Sequence, residues 1–351
     1  MKQIKITLAN RYRLERYLAS GSYGEVFEAI DLKTNQHVAV KVAPIKRSNT
    51  LQVEKEFYDR LQPRRGAGML KVHFFSQECD DYRILVLPLL GPSLKDLFYY
   101  CEERFTLRTV LLIADQVLAR LKFLHSRDII HRDLKPANFI LGRGYDGNTI
   151  YLVDLGCALK KVHAPGDPMH YGRNREDRVY GTIGYASKAA HMLQCQTYRD
   201  DLESFGYIMM EFLNKRLPWE DIESTGSQSK EELIGQMKEQ IPLDDLCKIE
   251  SDGSENSENS ENSDDPIKPD DSDVFKKYFE YIRKLRYNQR PDYTWLQNLF
   301  RLKFRDKKYK YNHVYDWTER KFEEFKSALP EGAEGTDDAG GADGADGADT
   351  A

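Results

Sequence analysis

Up to Leu87 the chain reads as short strands, and beyond it helical periodicity takes over. Val38-Ala39-Val40-Lys41 alternates as a strand does, and Arg83-Ile84-Leu85-Val86-Leu87 reads as another. Two β-branched and aromatic runs flank Ala19-Ser20-Gly21-Ser22-Tyr23-Gly24, which predicts the tip of a hairpin. Val53, Phe57 and Leu61 recur at four-residue spacing and predict one helix among these strands. Farther on, Val110, Ile113, Val117, Leu121 and Leu124 fall on one helix face. Leu202, Phe205, Met209 and Phe212 make a second face, and Phe275, Phe279, Ile282 and Leu285 a third. Phe139-Ile140-Leu141 and Ile150-Tyr151-Leu152-Val153 read as short buried strands. The pattern predicts an α+β molecule: a small β-rich first part with one helix, and a larger, mainly helical second part. With 351 residues the chain can bury a core in both, and the aromatics and methionines of the stripes are assigned to those cores.

Charged residues interrupt this pattern where it is most apolar. Lys41 sits in a strand, Glu54 lies beside the Val53-Phe57-Leu61 stripe where it can turn toward Lys41, and Asp154 ends an apolar run. The run His131-Arg132-Asp133-Leu134-Lys135-Pro136-Ala137-Asn138 leads straight into Phe139. His-Arg-Asp alone is no more than a surface charge cluster, but the eight residues together fit the catalytic-loop pattern of a protein kinase. Asp154-Leu155-Gly156 resembles that family's magnesium-binding turn, Val38-Ala39-Val40-Lys41 its phosphate-gripping strand, and Ala19 to Gly24 its glycine-rich loop with Ala19 in the first glycine's place.

Further segments narrow the resemblance. Leu89-Leu90-Gly91-Pro92-Ser93-Leu94, Gly181-Thr182-Ile183-Gly184-Tyr185-Ala186-Ser187, Tyr198-Arg199-Asp200-Asp201-Leu202-Glu203-Ser204-Phe205-Gly206-Tyr207, Leu217-Pro218-Trp219 and Pro291-Asp292-Tyr293 are similar to the casein kinase 1 family of serine/threonine kinases, over roughly residues 5 to 320. The resemblance implies transfer of the ATP γ-phosphate with magnesium. Asp133 would accept the hydroxyl proton, Lys135 would steady the transferring group, Lys41 would hold phosphates with Glu54 as its ion-pair partner, and Asn138 and Asp154 would bind the metal. The nucleotide is expected among Leu18, Gly21, Ser22, Gly24, Val26, Ala39, Lys41, Leu87, Pro88, Leu90 and Leu141, with adenine read by the Pro88 carbonyl and both backbone groups of Leu90. Asp201 is expected to anchor the catalytic loop.

The resemblance implies a bilobal fold organised as an extension over 1–11, a kinase domain over 12–320 and, over 321–351, the end of a C-terminal helix and a disordered acidic Gly/Ala/Asp tail. Within the domain lie a first lobe over 12–87, a hinge over 88–91 and a second lobe over 92–320. Three departures stand out. Ser187-Lys188-Ala189 replaces the Ser-Ile-Asn of relatives, Leu155 replaces the common phenylalanine, and Gly184 stands where relatives place a phosphate-binding arginine. Asp177 likewise replaces a lysine, Lys230 is the clearest survivor of a basic stretch, and Arg173, Arg175 and Arg178 lie nearby. Acidic or phosphorylated protein substrates are therefore expected, with phosphate-primed recognition weakened. The alternative is a pseudokinase or scaffold, suggested by Ala19, Leu155 and the lost cations, although no catalytic charge is missing.

Composition adds compartment and charge. Cys79, Cys101, Cys157, Cys195 and Cys247 lack paired spacing, which predicts reduced thiols in cytoplasm or nucleus. His125 and His163 have no metal-spaced partners and read as ordinary residues. No apolar run is long enough to span a membrane, no apolar signal core follows Met1, and no prenylated cysteine box precedes Ala351. No nucleic-acid partner is expected, and a monomer is.

Residues 250–273 turn to Ser, Glu, Asn and Asp, an insert expected to be disordered, with ten acids against Lys268. The end from Leu329 adds seven acids and no base, so the formal charge of −5 leaves the folded body at about +11. In the insert Ser251, Ser254, Ser257, Ser260 and Ser263 recur every third residue among glutamates. Two readings stand for this ladder: sequential phosphorylation by this chain or a partner kinase, and a repeat expansion in a neutral loop.

Overall fold

Alternation along the first lobe builds a sheet buried on both faces. A computed structural model describes residues 6–21, 24–46, 49–62, 67–79, 81–161, 178–224, 226–250 and 268–327. Strands β1 (Thr7–Leu8), β2 (Tyr12–Gly21), β3 (Gly24–Asp31), β4 (Gln36–Pro44), β5 (Phe74–Cys79) and β6 (Tyr82–Pro88) pair antiparallel in the order β1-β2-β3-β4-β6-β5. Val38, Val40, Ile84 and Val86 join Leu8, Tyr12, Leu14 and Ala29 in a small core on one side. Ala43, Leu85 and Leu87 face the main core on the other. That second face carries the cleft residues, because the pleat puts Lys41 opposite Val26 and Leu85, and Ala39 opposite Leu87. The described part of the N-terminal extension contributes β1, which pairs with β2.

Helix α1 (Thr50–Leu61) crosses behind the sheet and buries Leu51, Glu54, Phe57, Tyr58 and Leu61. Val53, expected on that face, is 38% exposed. The reason is geometric: a strict four-residue spacing drifts by about 40° per step, so a stripe drawn through Phe57 and Leu61 leaves the buried face at its far end.

The second lobe assembles around one buried helix. It contains α2 (Leu94–Tyr100), α3 (Leu107–His125), α4 (Lys188–His191), α5 (Tyr198–Asn214), α6 (Lys230–Gln240), α7 (Leu243–Leu246), α8 (Asp273–Lys284), α9 (Tyr293–Asp306) and α10 (Asp316–Ser327). Two short antiparallel pairs, β7 (Ile129–Ile130) with β10 (Leu159–Lys160) and β8 (Phe139–Leu141) with β9 (Ile150–Leu152), lie at its top. Helix α5 is buried nearly all round and takes α3 and α8 against its sides. It starts at a capping box in which Thr197 and Asp200 satisfy each other's backbone N–H groups. All three predicted helical stripes are buried here. None of the five cysteines forms a disulfide, and no described helix is long and apolar enough to cross a membrane.

One boundary differs from expectation. Residues 268–273, assigned by composition to the acidic insert, form a helical turn leading into α8, with Asp271 fully buried against Lys303 (2.8 Å) and Lys307 (2.7 Å). The ammonium groups of Lys303 on α9 and Lys307 just after it meet a carboxylate that composition alone assigns to solvent. Helix α10 continues past residue 320 and is fixed at its start by Asp316, which accepts from the Thr106 backbone N–H and hydroxyl (both 2.7 Å). The serine ladder, His163, Arg173, Arg175, Asp177 and the acidic end lie outside the described residues.

Gly206 marks the tightest packing of α5. A Cβ there would stand 2.5 Å from Phe279 Cζ and 3.1 Å from Tyr278 Cε1. Alanine favours a helix interior by about 1 kcal/mol, while overpacking a core costs about 1 to 3 kcal/mol. Chemical denaturation of Gly206→Ala should therefore show net destabilisation, against the propensity scale.

Candidate active site

The cleft between the lobes is closed by a chain of three charges. Lys41 Nζ on β4 donates to Glu54 Oε2 on α1 and to Asp154 Oδ1 after β9, each at 2.7 Å. Burial pulls the Lys41 pKa down, but its two carboxylates outweigh that and hold it above the ordinary lysine range. Burial raises Asp154 and Lys41 more than reverses it, whereas at Glu54 the burial effect wins and its pKa stays high. Asp154 takes left-handed backbone (φ 65°), and its N–H donates to the Tyr58 hydroxyl at 3.1 Å. Tyr58 was not legible as a site residue, although it follows Glu54 by four positions and so shares its helix face.

A second cluster sets the residues after β7. Asp201, in the first turn of α5, accepts the backbone N–H of His131 at 2.7 Å and of Arg132 at 2.9 Å. His125 Nε2 approaches the same carboxylate at 2.8 Å. Burial raises the Asp201 pKa, and these donors outweigh it and hold the group ionised. His125, read from sequence as an ordinary residue, is buried and bridges Asp201 to the Tyr293 hydroxyl. Nothing in its local sequence marks it, because its partners are far away in the chain.

Above this anchor the residues expected to act converge. Asp133 Oδ2 accepts from Lys135 Nζ at 2.8 Å, and its Oδ1 accepts from the Thr182 N–H and hydroxyl at 2.8 and 2.7 Å. Asn138 Nδ2 donates to the Asp133 carbonyl at 2.8 Å, which turns its amide oxygen the other way. The Val153 N–H donates to the Asn138 carbonyl at 3.0 Å, tying the strand before Asp154 to the Asn138 turn. Thr182 reaches Asp133 because Gly181 (φ 95°) passes so close that a Cβ would stand 2.3 Å from the Arg132 carbonyl oxygen.

The remaining predicted nucleotide residues line the sheet and hinge. Val26, Ala39, Lys41 and Leu87 are neighbours across β3, β4 and β6, and Pro88 ends β6 opposite Val38. The Gly91 N–H donates to the Leu141 carbonyl at 2.8 Å, and the Leu141 N–H to the Pro92 carbonyl at 2.9 Å, so β8 fixes the segment holding Leu90. Leu18 falls at an irregularity in β2, and Gly21 and Gly24 pair at the hairpin end. Ser22 lies outside the described residues. Ala19 pairs with Val26 and keeps a negative φ, so the absent first glycine leaves the strand intact.

Asn138 and Asp154 offer oxygen ligands, the donor type a hard divalent cation prefers. No group of three or more His, Cys, Asp or Glu that could hold a metal occurs among the described residues, as suits a site completed by phosphate oxygens and water.

Beyond Thr182 the surface departs from the expected anion site. Lys230 Nζ donates to the Glu220 carbonyl at 3.2 Å, and Gly184 offers only backbone, its carbonyl accepting from Trp219 Nε1 at 2.8 Å. The guanidinium groups of Arg178 and Arg132 lie over the Tyr180 ring, 5.0 and 4.3 Å from its centroid. At the Ser187-Lys188-Ala189 departure, Ser187 caps α4 and donates to Asp200 at 2.7 Å. Arg290 bonds Asp128 at 2.5 Å and the His125 carbonyl at 3.2 Å.

Residues 12–298 match the family model described as the protein kinase domain.

Two measurements follow from this geometry. Asp201→Asn turns an N–H donor toward backbone N–H groups, and a buried unsatisfied donor costs about 1 to 3 kcal/mol. Nucleotide binding should persist while kcat falls about tenfold or more. Burial also pushes the Glu211 carboxyl up to about 7, against the donating Tyr185 hydroxyl at 2.8 Å. A carboxyl raised on folding binds extra protons between its unfolded and folded pKa values, so it costs stability as pH climbs through that window. The melting temperature of Glu211→Gln minus that of wild type should thus be larger at pH 8 than at pH 5.

Proposed function

The chain belongs to the protein kinase family, and we propose that it is an active serine/threonine kinase of the casein kinase 1 type, using ATP and magnesium. The observation that carries this reading is the complete set of charges in contact: Lys41 between Glu54 and Asp154, and Asp133 held by Lys135 and Thr182. A scaffold that only binds has no need of that alignment.

In the reaction the acceptor hydroxyl oxygen attacks the γ-phosphorus in line with the leaving ADP oxygen, and its proton passes to Asp133. A bond from phosphorus to the acceptor oxygen forms as the bond to the β-phosphate bridge breaks. Lys135, 2.8 Å from Asp133 Oδ2, is placed to meet charge on the transferring group, and the Thr182 bonds keep Asp133 aimed. Lys41 offers its ammonium to the α- and β-phosphates. Magnesium held by Asn138 and Asp154 would neutralise phosphate charge.

Acidic protein segments suit the positive folded body. Phosphate priming is weakened, since Gly184 supplies no cation and Lys230 already donates to Glu220. We place the enzyme in the cytoplasm or nucleus, as five cysteines without paired spacing suggest.

The test is a magnesium-ATP assay on casein and on two matched peptides, one with phosphoserine and one with aspartate three residues before the acceptor serine. Asp154→Asn and Asp133→Asn should each lower transfer by about 10² or more, as loss of a single electrostatic contact does elsewhere. The phosphoserine peptide should be no better than the acidic one. Nucleotide binding without transfer in the wild type would instead favour a scaffold.

A further inference from the structure

Lys238 occupies an unusual place for its charge. It lies on α6, a helix with mostly exposed positions, yet it is fully buried. Its Nζ donates to the Ile183 carbonyl at 2.9 Å and the Ala186 carbonyl at 2.8 Å, and stands 3.2 Å from His191 Nε2. The rings of Tyr207 and Trp219 face it at 4.9 and 4.8 Å from their centroids.

The network assigns the protons. His191 Nδ1 lies 3.1 Å from the Glu231 carbonyl, and Nε2 lies 3.3 Å from the Ile183 carbonyl and 3.2 Å from the Lys238 ammonium; because an ammonium can only donate, Nε2 presents its lone pair to Lys238 and Nδ1 carries the hydrogen. Burial, with Lys238 alongside, lowers the His191 pKa to about 4 and keeps the ring neutral, as an acceptor requires. Three acceptors therefore meet the three donors of one ammonium. Among the described residues no carboxylate is in ion-pair contact with it; Glu203, whose charge favours the ammonium, accepts from the Tyr207 hydroxyl at 2.6 Å. Burial, partly offset by Glu203, pulls the Lys238 pKa down to about 7, and an apolar residue would fill the position without that cost.

What the ammonium holds explains its presence. Ile183 and Ala186 bracket the stretch that follows Thr182, whose N–H and hydroxyl hold Asp133. The Gly184 carbonyl between them is held by Trp219. The ledge beside the catalytic base is thus tied from beneath through three backbone carbonyls. Helix α6 comes close enough because Gly235 has no side chain: a Cβ there would stand 2.9 Å from His191 Cβ.

We propose that Lys238 is a positioning residue for the protein acceptor, its ammonium setting the carbonyls of Ile183 and Ala186 so that the 182–186 ledge presents the incoming chain to Asp133. This rests on the phosphotransfer reading above.

The test compares wild type, Lys238→Met, Lys238→Arg and Gly235→Ala in the full chain. It reads peptide kcat and KM, ATP KM, and ATP hydrolysis to water without acceptor. Lys238→Met should raise peptide KM about tenfold or more, while ATP KM and hydrolysis stay within about twofold. Lys238→Arg keeps donors and should recover part of the loss; a filler role predicts the reverse order, with methionine tolerated and arginine not. Gly235→Ala leaves the charge in place but pushes α6 off α4, and should raise peptide KM in the same direction. If Lys238→Met does not fold, an unchanged peptide KM in Gly235→Ala overturns the proposal. So does an unchanged peptide KM in folded Lys238→Met, or an equal loss of hydrolysis and transfer. A wild type that binds ATP but transfers to no acceptor overturns the phosphotransfer reading and this proposal with it.

Discussion

The carboxylate of Asp201 is the constraint on which the rest of the site depends. It stands in the first turn of a helix buried nearly all round, where the orphan N–H groups of the helix start already favour negative charge. Being buried, it needs donors, and the backbone N–H groups of His131 and Arg132 supply them together with His125. That requirement sets the catalytic loop on the core of the second lobe. Arg132 is held at a positive φ of 67° as part of the same arrangement, a conformation most residues avoid.

From this anchor the geometry propagates by hydrogen bonds to backbone. His131 Nε2 bonds the Val153 carbonyl, Asn138 bonds the Asp133 carbonyl, and Val153 bonds back to Asn138. Asn138, Asp154 and Asp133 are therefore parts of one network in the second lobe. Lys41 reaches it from the first lobe. A buried ion pair is weak evidence for stability, because desolvation offsets most of the attraction. The Lys41 bridge is better understood as alignment, since its ammonium can satisfy Glu54 and Asp154 together only when the lobes are in register.

The acceptor side is built differently. Gly184 offers only backbone there, Lys230 donates to the Glu220 carbonyl, and the buried Lys238 ammonium serves the carbonyls of Ile183 and Ala186. Surface cations read a substrate's charge, whereas a cation beneath the ledge can only shape it.

How much of this was legible depended on how local the cause was. Period two and period 3.6 located the strands and the buried helix faces, with Val53 the one stripe position that turned outward. Contiguous motifs brought Lys41, Asp133, Lys135, Asn138 and Asp154 forward, because phosphate chemistry demands those residue types at those separations. Tyr58, His125, Thr182 as partner of Asp133, and Lys238 were not readable as they act. Each draws its role from groups tens of residues or more away, and a histidine or lysine looks the same in sequence whether water or a buried carbonyl meets it. Asp271 shows the same limit from the other side: its acidic neighbourhood marks it as solvated, and only the approach of Lys303 and Lys307 made burial affordable in free energy. The sequence by itself determined the strands and helices of the two lobes and brought forward the charges expected to act, since pattern and motif are local. Tertiary structure alone decided which polar groups are buried and what satisfies them, because desolvation is set by everything that packs around a group and not by its neighbours along the chain.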